Sequence, residues 1–138
     1  MLKINTPTRK LTLKEQKKIV SLTIKWCRSA LGENNKRKNK LVYCLRPQPL
    51  MHKLINGECH GQFDYRENIL DIYIDNNKSI KSLIITTIHE YTHHLQPIRK
   101  RYYELDKKYG YWKNPFEIQA HANEVLYENC WREIKKKI

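Results

Sequence analysis

The stretch from Asn77 to Gln96, N-K-S-I-K-S-L-I-I-T-T-I-H-E-Y-T-H-H-L-Q, constrains this chain more than any other. Ile80, Leu83, Ile84, Thr87, Ile88, Tyr91 and Leu95 recur at helical spacing, which gives one apolar stripe. Asn77 is placed as an N-cap and Pro97 forbids continuation, so the spacing predicts a helix over 77–96. Inside that apolar segment stand His89, Glu90, His93 and His94. Burying imidazoles and a carboxylate is costly unless they are paired or bound to an ion. The fold must therefore place this helix inside the protein and still give its polar face a polar neighbour.

His89-Glu90-Tyr91-Thr92-His93 has the form H-E-x-x-H. Positions i and i+4 lie one helical turn apart on one face, so both imidazoles can point at a single ion. Glu90 is about 100 degrees round the helix from His89. That keeps it from joining easily as a ligand but lets it reach a metal-bound water as general base. Zn2+ is the expected ion. His94 points elsewhere and reads as a surface or supporting histidine.

The rest of the chain supplies the frame. Residues 1–11 read as a basic N-terminal arm, followed by a single domain over 12–138. Thr12 and Glu15 form a capping-box signature for a helix with Ile19, Val20, Thr23, Trp26, Cys27, Ala30 and Leu31 on one face, closed by Gly32. The run 33–40 is polar and basic and reads as a solvated loop. Residues 40–46 read as a strand stopped by Pro47 and Pro49, and 50–58 is ambiguous. Strands are expected at 59–66 and 69–75, joined through Glu67-Asn68, with Leu70, Ile72 and Ile74 on the buried face. Residues 98–113 read as a loop with a helical piece. A last helix is expected from Asn114-Pro115 to the Lys-rich end.

Three candidates for a third ligand lie on that last helix: Glu117, His121 and Glu124. Their spacing of four and then three puts them on one face, continued by Tyr127, Trp131 and Ile134. Glu117 has a competing role, because with Asn114 as N-cap it is the Glu of a capping box. Cys59 and His60 are more distant alternatives.

H-E-Y-T-H-H-L-Q at 89–96, followed by N-P-F-E-I-Q-A-H at 114–121, resembles the gluzincin class of zinc metallopeptidases. The resemblance implies an α+β, zincin-like minimal metallopeptidase core. Its parts would be an N-terminal helix, a small mixed or antiparallel sheet with a hairpin, the H-E-x-x-H helix and a C-terminal Glu-bearing helix. It implies zinc ligands His89, His93 and Glu117, Glu90 as base, and a substrate strand added to the hairpin at 59–75. His121 stands where some relatives have Asp. SprT-like proteases share H-E-x-x-H and a basic balance but use a third His. A peptide deformylase pattern, with Cys59 upstream, is a poorer match.

These residues lead to the expectation of a small zinc endopeptidase acting on peptide or protein substrate. An oxyanion donor is needed. Tyr102, Tyr103, Tyr109, Tyr111, Tyr127 and His94 are available, and Tyr111 is the choice because it closely precedes the Glu117 helix. The net charge of +13 comes from 27 Lys and Arg against 14 Asp and Glu. Either nucleic acid or another polyanion is a partner, or an AT-rich coding sequence has produced the bias. The rival function is therefore a nucleic-acid-binding protein with a structural metal. No apolar run nears the roughly 20 residues of a membrane span. With no apolar leader, the expectation is a cytoplasmic monomer whose four cysteines are reduced.

Overall fold

The computed structural model describes residues 2–47, 59–97 and 99–138. The ambiguous segment 50–58 and Pro49 lie outside the described residues. The fold is α+β, with helices around a small mixed sheet.

Helix α1 (Leu13–Leu31) starts from a complete capping box, in which the Glu15 N–H donates to Thr12 Oγ1 and the Thr12 N–H to Glu15 Oε1, both at 3.0 Å. Gly32, at φ 88°, ends it and sends its N–H to Arg28 O. The buried face is Gln16, Ile19, Val20, Thr23, Ile24 and Cys27. Ala30, expected on that face, is exposed, because the helix leaves the core in its last turn.

Strands β1 (Val42–Arg46), β2 (Gly61–Asp64) and β3 (Ile69–Tyr73) run in the order β1-β3-β2. β3 pairs in parallel with β1 and antiparallel with β2. Each strand is shorter than its spacing predicted. Pairing sets Phe63 opposite Leu70, and Leu45 opposite Ile72, on the face toward the helices. The β2–β3 turn rests on Asn68, which adopts a left-handed φ of 59°. An Asn tolerates that conformation better than most residues. Asp64 Oδ1 accepts from the Arg66 and Glu67 N–H groups across the same turn.

Helix α2 (Ile80–Leu95) is the centre of the molecule. It packs on α1, on the sheet and on the C-terminal helices, and every residue from Thr86 to His94 is buried. The expected single stripe is therefore a helix enclosed nearly all round. Its N-cap is Ser79, which accepts from the Ser82 N–H, rather than Asn77. Asn77 is fully buried before the helix. Its amide donates to His60 O and Tyr73 O, and its Oδ1 accepts from Ser82 and Thr86 hydroxyls.

Both ends of α2 are held by segments that the sequence assigned to solvent. At the N-terminus, the Ile80 and Lys81 N–H groups donate to Thr6 O and Ile4 O, and Pro7 bridges Ser79. Residues 2–11 thus dock rather than form an arm, with Leu11 buried and Leu2 and Ile4 packed on the core. At the C-terminus, Arg37 donates to His93 O, His94 O and Gln96 O, and also to Tyr65 O. Those are the orphan carbonyls every helix end must satisfy.

Helix α3 (Arg99–Tyr109) is the helical piece expected within 98–113, and it takes up most of that segment. The expected single last helix is divided into α4 (Pro115–Asn123), a 3-10 turn at Glu124–Leu126 and α5 (Tyr127–Ile134). Among the described residues no helix is long and apolar enough to cross a membrane. All four cysteines are free; Cys27 and Cys130 are buried, Cys44 and Cys59 half-buried.

Candidate metal centre

α2 and α4 bring the candidate ligands together. Helical spacing stacks His89 over His93 on one face of α2, their ring centroids 5.1 Å apart. α4 is aimed at that face by its own cap. Asn114 Oδ1 accepts from the Phe116 N–H, with Pro115 in the first turn. The capping-box alternative for Glu117 does not form, since the Asn114 N–H goes to Tyr111 O. Glu117 instead turns inward and is 3 % exposed. Its Oε1 lies 3.0 Å from His89 Nε2 and 3.1 Å from His93 Nε2.

The outer nitrogens decide what those contacts mean. His89 Nδ1 faces Glu124 Oε2 at 2.8 Å. His93 Nδ1 faces Gln96 Oε1 at 2.7 Å and the Tyr65 hydroxyl at 2.8 Å. The Gln96 amide nitrogen is committed to Phe116 O and Gln119 Oε1, so its oxygen must face the ring. His93 Nδ1 is therefore protonated, while His89 has a carboxylate at each ring nitrogen. A neutral ring protonated at Nδ1 would turn an Nε2 lone pair toward Glu117. Lone pairs facing a carboxylate repel unless positive charge lies between. Without an ion that charge is a proton on each ring. For His89, burial alone would lower the pKa, but hydrogen bonds with Glu117 and Glu124 outweigh it and raise the pKa to about 10. His93 is raised against its burial by the same carboxylate. A cation among the three atoms meets the same need, and outer acceptors that fix the imidazole tautomer are how metal sites are built. Two groups of potential ligand atoms lie within 4.8 Å of one another, His89–Glu90–His93 and His89–Glu117–His121. The cluster could hold a metal ion.

No family model, curated protein or solved structure matches this chain or its fold. The chemistry must be argued from the residues themselves.

Glu90 is 7 % exposed and its Oε2 lies 4.0 Å from His89 Nε2. Burial pushes its pKa above the ordinary carboxylate value, and facing His89 and His93 pull it back. A carboxylate raised in this way is a better proton acceptor near neutral pH. Gly61 on β2 is why the sheet can approach so closely. A Cβ there would lie 2.7 Å from Thr86 Cγ2, 2.9 Å from Asp71 O and 3.1 Å from Glu90 Cγ.

His121 and Glu124, the other candidates for third ligand, sit around the Glu117 position. Glu124 Oε2 is shared by His89 Nδ1 and by His121 Nδ1, the latter at 2.7 Å. The His121 ring is half-exposed and stacks on Trp112. Tyr111 stands at the rim, its hydroxyl 3.3 Å from His121 Nε2. Burial and the nearby Glu117 and Glu90 charges raise the Tyr111 pKa, which keeps its proton available for donation. Tyr102, by contrast, commits its hydroxyl to Glu117 Oε2. Tyr127 bonds Glu128, and Tyr103 and Tyr109 are exposed. His94 is turned away, bonded to Asn68 Oδ1 and to the Asn34 N–H. Cys59 and His60 belong to neither potential ligand group; Cys59 Sγ donates to Gly61 O.

Tyr65 and Gln96 were missed in the sequence, and Tyr102, named there only as a possible oxyanion donor, instead holds Glu117. Gln96 could have been found, since it stands one turn beyond His93 on the same helix edge. Nothing local marks Tyr65.

Proposed function

We propose that this chain is a zinc-dependent peptide hydrolase of the gluzincin pattern, with His89, His93 and Glu117 holding the ion and Glu90 as general base. The observation that carries this reading is the convergence of two Nε2 atoms on Glu117 Oε1, with outer acceptors at both Nδ1 atoms. Two neutral imidazoles and one carboxylate are the donor set of catalytic zinc sites that leave one coordination position open. Bound zinc supplies a Lewis acid for the scissile carbonyl and lowers the pKa of the attacking water.

The chain's own groups supply the rest. Glu90 takes the proton of that water and returns it to the leaving amine. Tyr111 donates from the rim to the developing oxyanion. Glu124, Gln96 and Tyr65 hold the two imidazoles in the required tautomer, and Tyr102 fixes the Glu117 carboxylate. β2 is paired on one side only by β3 among the described strands, and its Gly61 lies against Glu90. An extended peptide laid on that free edge is held by backbone hydrogen bonds beside the base.

His121 favours a second reading. It groups with His89 and Glu117 within 4.8 Å, and as a fourth protein ligand it would close the site into a structural one.

The test is metal analysis beside hydrolysis of an unfolded protein. The wild type is expected to carry one zinc. Glu90→Gln is expected to keep zinc and lose activity by roughly 100-fold to 10,000-fold. Glu117→Ala is expected to bind zinc weakly. Full activity in Glu90→Gln would sink the mechanism. Normal zinc in Glu117→Ala would transfer the third position to His121.

A further inference from the structure

A second concave surface lies away from the cluster, between the N-terminal segment and α5. Lys81, in the first turn of α2, is on its rim. His89 follows eight residues later, about 12 Å along the helix axis at the usual rise. The groove encloses about 280 Å³. That is at the small end of ligand sites and suits a nucleotide-sized unit better than a folded partner.

Its chemistry is basic and aromatic. Glu128, Trp131, Arg132 and Lys135 follow one another at helical spacing, so one edge of α5 and the turn after it form a wall. Tyr127 and Trp131 are half-buried, packed on the core from one side. Lys81 Nζ sits 4.7 Å from the Tyr127 ring centroid. Arg132 and Lys135 are exposed, and among the described residues no carboxylate pairs with either. Glu128, the one acid lining the groove, accepts the Tyr127 hydroxyl at 3.0 Å. Lys136 and Lys137 follow Lys135 in the same terminal turn. The opposite wall is tied to α2, where Ile4 O accepts the Lys81 N–H at 2.8 Å.

We propose that this groove binds single-stranded nucleic acid, with a base on the Trp131 face and phosphates on Lys81, Arg132 and Lys135. Cations tracking a backbone beside aromatic faces are how single strands are held without sequence preference. A duplex cannot offer a base face to Trp131 without unstacking. The inference also gives part of the +13 charge a location. It stands independently of whether the cluster is catalytic.

The test is fluorescence anisotropy with a labelled mixed-sequence single-stranded oligonucleotide over a salt series, beside its duplex and heparin. The groove variant is Lys81→Glu, Arg132→Glu and Lys135→Glu together. The control is Lys36→Glu, Lys38→Glu and Lys40→Glu, which makes the same charge change at the other end of α2. The groove variant is expected to bind at least ~10-fold more weakly, with the salt slope reduced by about 2 for three lost phosphate contacts. The control is expected to lose much less. Glutamine at the same groove positions provides the measurement if charge reversal unfolds α5. Equal losses in the two variants, duplex or heparin bound as tightly as the single strand, or no binding by the wild type, would each overturn the proposal.

Discussion

At the scale of single residues, the site depends on which nitrogen of each histidine carries a proton. Glu124 favours a proton on His89 Nδ1 through a 2.8 Å contact, opposite the Glu117 contact at Nε2. Its replacement by Gln removes the charge but not the shape. Glu124→Gln is expected to weaken zinc binding by about 10-fold to 100-fold, the usual cost of losing an outer-sphere partner. Competition against a chelating dye reads this directly, and an unchanged affinity would place Glu124 outside the centre's support. His94 behaves in the opposite way to its neighbours. Burial, with Arg37 and Arg28 nearby, lowers its pKa from 6.5 to about 4. Its Nδ1–H donates to Asn68 and its Nε2 accepts from Asn34, so the neutral ring is the one the fold needs. The unfolded chain therefore binds a proton more readily than the folded one between those two values. The stability due to His94 is fully present above pH 6.5 and is lost as pH falls toward about 4. Urea denaturation at pH 7.5 and 5 should show the advantage of wild type over His94→Gln shrinking in acid. An advantage that stays constant would mean that His94 does not titrate in that range.

At the scale of elements, α2 is enclosed along its length and closed at both ends by remote chain. Arg37 is the C-terminal clamp, with its guanidinium on three α2-end carbonyls and 5.2 and 5.4 Å from the Phe63 and Tyr65 ring centroids. It also fastens the hairpin through Tyr65 O, and Tyr65 in turn touches His93. Arg37→Met keeps the stem and removes the donors. It is expected to cost about 2 kcal/mol, in the range for hydrogen bonds to a charged group. Denaturant unfolding measures this, and a loss below ~0.5 kcal/mol would mean that water caps the helix equally well. α2 itself, the Thr12 capping box and the Asn114-Pro115 start were legible because each is written in local spacing. The pairing of His89 and His93 on one face was legible for the same reason. Arg37 was not, because polarity alone assigns a Lys- and Asn-rich run to solvent while its bonds reach 56 to 59 residues away. Residues 2–11 escaped for the same cause. α3 was legible only as a helical piece of unstated extent, because its basic and aromatic residues form no clear apolar stripe. Glu117 was legible only as one of three, since whether it caps α4 or turns inward depends on what α2 presents to it.

At the scale of the whole molecule, two buried imidazoles and two buried carboxylates meet where α2 and α4 cross, and the hairpin and α3 press on the same point. Among the described residues every buried side-chain nitrogen and oxygen has a partner. The arrangement is satisfied as folded, but at the cost of protons on rings that burial disfavours. A divalent ion that replaced those protons would bind the folded chain and would find no such cluster in the unfolded one. Its binding energy therefore adds to stability by mass action. With free zinc at 100 times its Kd the gain is about 2.7 kcal/mol. For a chain of 138 residues this corresponds to a rise in Tm of roughly 10 °C. Chelated protein titrated with zinc in a thermal scan should show that rise, and Glu90→Gln should show it equally because Glu90 is no ligand in this scheme. Glu117→Ala should show little of it. A wild-type Tm indifferent to zinc would mean that these groups meet for packing and hydrogen bonding alone, and equal stabilisation of Glu117→Ala would show the ion bound elsewhere.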